Sequence, residues 1–216
     1  MKLFEFSITR SIRCRWLLEE LGVPFESVEV DLSKGAHLQK DFLAVNPFAK
    51  IPALVDGDLT LFESAAICTY LADKYPEKGF IPKVGTKARA LHDQWMYFCM
   101  AELEQPLWTI AKHTFIYEEA KRSPEAIALA KEDFKRIVLP LEKHMAGRKF
   151  LLEDKFQTVD VMVGQTLIWA IAMQMTKHLD LLQGCPALVS YLGLLAERPK
   201  MPKALRGVLV ERLQSS

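Results

Sequence analysis

"KGAHLQKDFLAVNPFAKIPALVDGDLTLFESAAICTYLADKYP", residues 34–76, is the stretch on which the fold turns. At its centre, IPALVDGDLTLF holds two short apolar runs around Asp56-Gly57-Asp58, the composition of a tight β-hairpin. Pro52 opens the first run, where a residue without an N–H is tolerated. Glu63-Ser64 then starts a helix, SAAICTYLADKY, which Pro76 ends. Upstream, residues 33–45 read as a loop and a short helix, and FESVEV alternates as a strand. Further back, Lys2–Phe6 is a strand candidate, and Leu17, Leu18 and Leu21 share one face of a helix that Gly22 stops. The order is βαβαββα.

Downstream the pattern changes. PEKGFIPKVGT, residues 76–86, has two prolines, two glycines and no periodicity, as a linker has. Residues 87–113, 124–146, 158–176 and 186–213 then carry helical periodicity, with breaks near Pro124, Gly147, Gly184 and Pro199. The expected division is an α+β domain over 1–76, a linker over 77–86 and an all-helical domain over 87–216. FQTVDVMVG has the form of a capping box, with Asp160 three positions after Gln157, although Gln is a poor N-cap.

Composition narrows the function. Half of the 216 residues are hydrophobic and the formal net charge is +1, which gives no case for a nucleic-acid partner. The four cysteines are far apart and show no metal-ligand spacing, so neither a zinc site nor a disulfide framework is expected. Free thiols suit a reducing compartment. No basic segment precedes a long apolar stretch, and VMVGQTLIWAIAMQM is too short and too polar to span a membrane. The expectation is a cytoplasmic protein with no metal and no membrane partner.

Four local features carry chemistry. The turn Ser7–Arg13 leads from strand to helix, so a hydroxyl of Ser7, Thr9 or Ser11 and the helix N-terminus suit an anion such as a thiolate. The same hydroxyls also suit a plain N-cap. Ile51-Pro52 precedes a strand; a cis bond there would turn the Ile51 backbone toward an extended peptide, whereas most such bonds are trans. Glu63 and Ser64, an acid beside a helix start, suit an α-amino acid end, or a cap and a surface acid. Lys34, His37 and Lys50 suit a second carboxylate, or are solvated charge.

Taken in order, these residues resemble the glutathione S-transferase family, theta-like and related bacterial members above all. The NP-x-x-K-[IV]-P-x-L…D-G-D…ES-x-A-I pattern is intact within 34–76, and the resemblance covers the whole length. It implies a thioredoxin-like N-terminal domain followed by a helical bundle. It implies Pro52 as a cis-proline, with the Ile51 backbone against the cysteinyl unit of glutathione. Glu63 and Ser64 would hold the γ-glutamyl end, and Lys50 and His37 the glycyl carboxylate. Thr9-Arg10-Ser11 resembles an "SRS" turn, putting Thr9 where a serine contacts the sulfur, while other registers bring forward Ser7 or Ser11. The implied activity is activation of the glutathione thiolate, as co-substrate, for attack on a small apolar electrophile in detoxification. Tyr97, Met100 and Trp108 are candidates for the electrophile wall, or core residues of the long helix, the commoner place for aromatic and Met side chains. Phe48 is a candidate plug in a homodimer interface, or packs within its own domain. Two other readings use the same fold: a glutathione-dependent isomerase, peroxidase or dehalogenase, and a non-catalytic binding or regulatory protein.

Overall fold

A computed structural model describes residues 1–7, 9–152, 154–177 and 181–214. Four strands form one sheet: β1 (Lys2–Glu5), β2 (Glu26–Glu29), β3 (Ala53–Asp56) and β4 (Leu59–Phe62), in the order β2-β1-β3-β4. β1 and β2 run parallel and are joined through helix α1 (Ser11–Leu21). β3 is antiparallel to both β1 and β4. The β3–β4 hairpin turns at Gly57, whose φ of 65° is a conformation that glycine adopts without a Cβ clash.

Two 3₁₀ turns and the short helix α2 (Lys40–Val45) occupy the connection from β2 to β3, and α3 (Ser64–Lys74) follows β4. The buried face of α1 includes Leu17, Leu18 and Leu21, and α3 contributes Ile67, Cys68 and Leu71. Gly22 closes α1 in the left-handed conformation, its N–H bonded to the Leu18 carbonyl.

After a 3₁₀ turn at Pro76–Lys78 the chain is helical: α4 (Lys87–Phe98), α5 (Glu104–Ala111), α6 (Pro124–Met145), α7 (Thr158–Lys177), α8 (Pro186–Ala196) and α9 (Lys203–Gln214). The periodic segment 87–113 is not one regular helix. A π-helical turn at Cys99–Leu103 separates α4 from α5, and a second follows α5 at Lys112–Ile116. Helix α7 runs through the core, with Val159, Val161, Met162, Val163, Leu167 and Ile168 each buried. At Gly164 an added Cβ would come within 2.4 Å of the Leu195 side chain, so α8 packs directly on the α7 backbone.

Candidate active site

Sheet register brings the candidate residues to one end. β1 pairs with β3 up to Phe4–Ala53, and Ala53 pairs with Phe62 of β4. Phe6, Ser7 and Thr9 after β1, residues 51–52 before β3 and 63–64 after β4 leave these positions and therefore lie side by side. β2 is parallel to β1, so the connection carrying His37 and Lys50 begins at this end too. The Ile51-Pro52 bond is cis.

In the turn after β1, Thr9 Oγ1 and Ser11 Oγ stand 2.8 Å apart. Thr9 Oγ1 donates to the Phe6 carbonyl at 2.8 Å and accepts from Ser11 N–H at 3.3 Å. Ser11 Oγ accepts from Phe6 N–H at 3.2 Å and lies 3.0 Å from the Phe6 carbonyl. Ser11 is the first residue of α1 and is buried; Thr9 is half-buried and Ser7 exposed. The cap position itself is Arg10, whose side chain makes no cap bond. Thr9 thus serves the helix start from one residue further out than a standard N-cap.

Glu63 is held at φ 70°, a conformation costly for a residue with a Cβ and most often kept where function requires it. Its side chain is exposed, and Ser64 behind it is buried. A cap role for Ser64 is not what the structure has. Ser64 is already inside α3, and its Oγ accepts from Arg13 Nη1 at 3.2 Å. Because the hydroxyl accepts there, its own proton remains available to a ligand carboxylate.

The basic set divides. Lys34 pairs with Asp31 at 2.9 Å on the surface. Lys50 is exposed, its carbonyl accepting from Asn46 Nδ2 at 2.6 Å. His37 keeps a buried Nδ1 with no partner among the described residues. Of the expected electrophile wall, Met100 touches Arg13 Nη1 through its sulfur and Trp108 lies under Arg10, while Tyr97 is 74% exposed. Phe48 is 65% exposed, edge-on to Phe62 with ring centroids 5.3 Å apart.

Beneath these residues lies a network that sequence reading missed. Arg13 is completely buried, with Nη2 on Glu104 Oε2 and, at 2.7 Å, on Thr166 Oγ1; its Nε donates to Gln165 Oε1 at 2.7 Å. Arg10 Nε donates to Glu104 Oε1 at 2.6 Å. Burial alone would raise the Glu104 carboxyl, yet the two guanidiniums hold it below the ordinary carboxylate range. The visible signal was the crowding of Arg10, Arg13 and Arg15 into ten residues, but nothing local tells which arginine turns inward.

Cys14 is buried beside the Cys68 thiol (Sγ–Sγ 3.9 Å), and burial pushes its own thiol well above the usual range. A protonated, enclosed thiol is no nucleophile. A cleft of about 610 Å³ opens beside the turn, lined among others by Glu5, Ser7, Ser11, Arg15, Pro199 and Lys203. None of Lys50, Ile51, Pro52, Glu63, Ser64 or Trp108 lines it. Among the described residues no group of three or more His, Cys, Asp or Glu side chains is placed to hold a metal ion.

Residues 1–73 match the family model for the glutathione S-transferase N-terminal domain, and residues 124–193 that for its C-terminal domain. Glutathione S-transferase 3 of Zea mays is 31% identical, over 96% of this chain and 94% of its own. A sphingomonad glutathione S-transferase solved with glutathione is 31% identical with a TM-score of 0.80, over 96% of this chain and 98% of its own. A glutathione transferase from Burkholderia graminis, solved with two glutathione molecules per subunit, is 26% identical with a TM-score of 0.84, over 94% of this chain and 86% of its own.

Proposed function

We propose, for a chain that belongs to the glutathione S-transferase family, that it transfers glutathione to small electrophiles by holding the tripeptide as a thiolate at Thr9. The observation that carries this reading is the convergence of the Thr9–Ser11 hydroxyls, the cis Ile51-Pro52 segment and Glu63-Ser64 at one end of the sheet. Glutathione is an extended tripeptide with an amino acid at one end and a carboxylate at the other. Glu63 takes its ammonium group, and the Ser64 hydroxyl takes the neighbouring carboxylate. The Ile51 backbone pairs with the cysteinyl unit, and Lys50 and His37 receive the glycyl carboxylate. The sulfur then reaches the turn after β1.

Thr9 is the more accessible partner of its hydroxyl pair. Phe6 N–H donates to Ser11 Oγ, Ser11 O–H donates to Thr9 Oγ1, and Thr9 O–H turns from the Phe6 carbonyl to the sulfur. Lowering the thiol pKa from about 8.5 to about 6.5 needs about 2.7 kcal/mol of preference for the thiolate. A charge-assisted hydrogen bond and the N-terminus of α1 together supply a preference of that size. The thiolate attacks an electrophilic carbon against Met100, Trp108 and Tyr97.

The chain works in the cytoplasm, in detoxification: Cys14, Cys68 and Cys99 are buried free thiols, which suits a reducing compartment. No described helix is long and apolar enough to cross a membrane. It pairs as a homodimer in which the exposed Phe48 ring enters the second copy; sedimentation of the whole chain reads this, and a monomer at micromolar concentration removes it.

Calorimetric titration with reduced glutathione tests the site. One saturable site per chain is expected, weakened about 10- to 100-fold in Glu63→Ala, the loss of one charged hydrogen bond. Binding that ignores Glu63→Ala overturns the assignment. Binding without turnover on any electrophile leaves a glutathione-binding protein rather than an enzyme.

A further inference from the structure

Arg10 lies between the two hydroxyls of the reactive turn. Its guanidinium carbon is 4.6 Å from the Trp108 ring centroid and 5.3 Å from that of Trp169, and its Nε donates to Glu104. Its side chain remains 28% exposed, whereas those of Glu104 and Arg13 are 2% and 0% exposed. Among the described residues, Glu104 is the one carboxylate within 4.0 Å of either guanidinium. Two cations share one anion, so the cluster carries a net charge of +1.

That excess falls on one place. The donors of Arg13 are engaged by Glu104, Gln165, Thr166, Ser64 and Met100. The two terminal nitrogens of Arg10 have no protein partner among the described residues. Arg13 alone would neutralise Glu104, so the carboxylate does not require a second arginine. What remains is a planar, partly exposed fork with four N–H donors, fixed by stacking on two indoles and by the bond from Nε. It stands next in sequence to the hydroxyl assigned to the thiolate, on the side of the expected electrophile wall.

We propose that Arg10 is a specificity-determining residue, selecting electrophiles that bear a carboxylate or similar anionic substituent on a flat apolar body. The body lies against the exposed parts of Trp108 and Met100, and the anionic group meets the Arg10 fork. This inference rests on the transferase reading and names the substrate class of that site.

The test uses 4-chloro-3-nitrobenzoate and its methyl ester, one skeleton with and without the charge. In both, the glutathione sulfur forms a bond to the ring carbon, the carbon–chlorine bond breaks and chloride leaves; the carboxylate is unchanged. Each kcat/KM is divided by the rate constant of the uncatalysed reaction at the same pH. The wild-type acid-to-ester ratio is expected at about tenfold, the worth of one charge-assisted pair, and to fall to about one in Arg10→Gln. Arg10→Lys, which keeps the charge without the fork, is expected between the two and serves if Arg10→Gln does not fold. A general effect of Arg10 on the thiolate moves both substrates together and leaves the ratio alone. A wild-type ratio at or below one, or a ratio unchanged by substitution, overturns the proposal. If neither compound is turned over, the transferase reading is tested on other electrophiles and the role of Arg10 by binding. Calorimetry with the two S-aryl glutathione conjugates then decides the same question. Tighter binding of the acid conjugate, lost in Arg10→Gln, supports the role of Arg10; equal binding of the two removes it.

Discussion

Two hydroxyls in the turn after β1 have two protons between them, and the Phe6 carbonyl lies within reach of both. Without a ligand those protons have internal partners, so a bound thiolate competes with a backbone carbonyl for the Thr9 proton. A full negative charge accepts more strongly than a neutral carbonyl, and this is the source of the gain. Ser11 stays behind Thr9, fixed by Phe6 N–H, and polarises it. Thr9→Val keeps the shape and removes the donor. It is expected to lower kcat/KM by about 10²-fold and to return the thiol of the bound tripeptide toward its ordinary pKa of about 8.5. The ultraviolet absorbance of the thiolate, titrated in the binary complex, reads the second effect directly. Ser11→Ala acts through Thr9, so its loss is smaller and Thr9→Ser retains most of the rate. An equal loss from Thr9→Val and Ser11→Ala, with no change in thiolate absorbance, would place the sulfur elsewhere.

At the scale of one element, the start of α7 separates what a sequence tells from what it hides. The spacing Gln157-x-x-Asp160 gave the box, and Asp160 Oδ2 does accept from Gln157 N–H at 2.8 Å. The weakness of Gln as a cap is also visible: its Oε1 is buried without a partner among the described residues. Hidden were the remote partners, because Leu151 N–H and Tyr191 O–H both reach Asp160 Oδ1 at 3.0 Å. The hairpin at Gly57 was legible for the same reason as the box, being set within a few residues. The π-helical turn that interrupts 87–113 was not, because it adds only about one residue to an otherwise helical spacing. Burial raises the Asp160 carboxyl to about 6 against the three hydrogen bonds that favour its charge. An unfolded aspartate titrates near 3.9, so between these values the folded chain holds a proton that the unfolded chain releases. The resulting stabilisation is full below about pH 4 and is lost as pH rises through about 6. Urea unfolding of the wild type and Asp160→Asn, compared at pH 7 and pH 5, is expected to shift by on the order of 1 kcal/mol in favour of the wild type at the lower pH. A difference independent of pH would mean that Asp160 does not titrate in this range.

Across the whole molecule, the sheet-bearing half and the helical half are joined by ion pairs as well as by apolar packing. Glu20 of α1 accepts from Arg198 Nε and Nη2, each at 2.7 Å, and Arg198 stacks 3.6 Å from the Phe156 ring centroid. The deeper tie is Arg13, which joins α1 to α3, to α5 and to α7 at once. Its partners lie 51 to 153 positions away along the chain, and arginine is usually a surface residue. Alternation and helical period report which face of an element is apolar. They give no sign that one cation is carried through the core, so this part of the site was illegible. The consequence is a single prediction for stability and function together. Removing Arg13 leaves Gln165 Oε1 and Glu104 Oε2 without that donor, a cost of about 1–3 kcal/mol for each buried group left unsatisfied. Arg13→Met is expected to lose that much in urea unfolding, although Arg10 still faces Glu104. The same substitution frees Ser64 Oγ, so its proton is no longer directed outward and glutathione affinity falls at temperatures where the variant is still folded. Glu20→Gln breaks the other tie, which lies away from Ser64, and is expected to lose stability with glutathione affinity unchanged. Measuring both variants by unfolding and by calorimetry separates the two ties: if Arg13→Met and Glu20→Gln change affinity alike, Arg13 holds the halves together and does nothing further for the ligand.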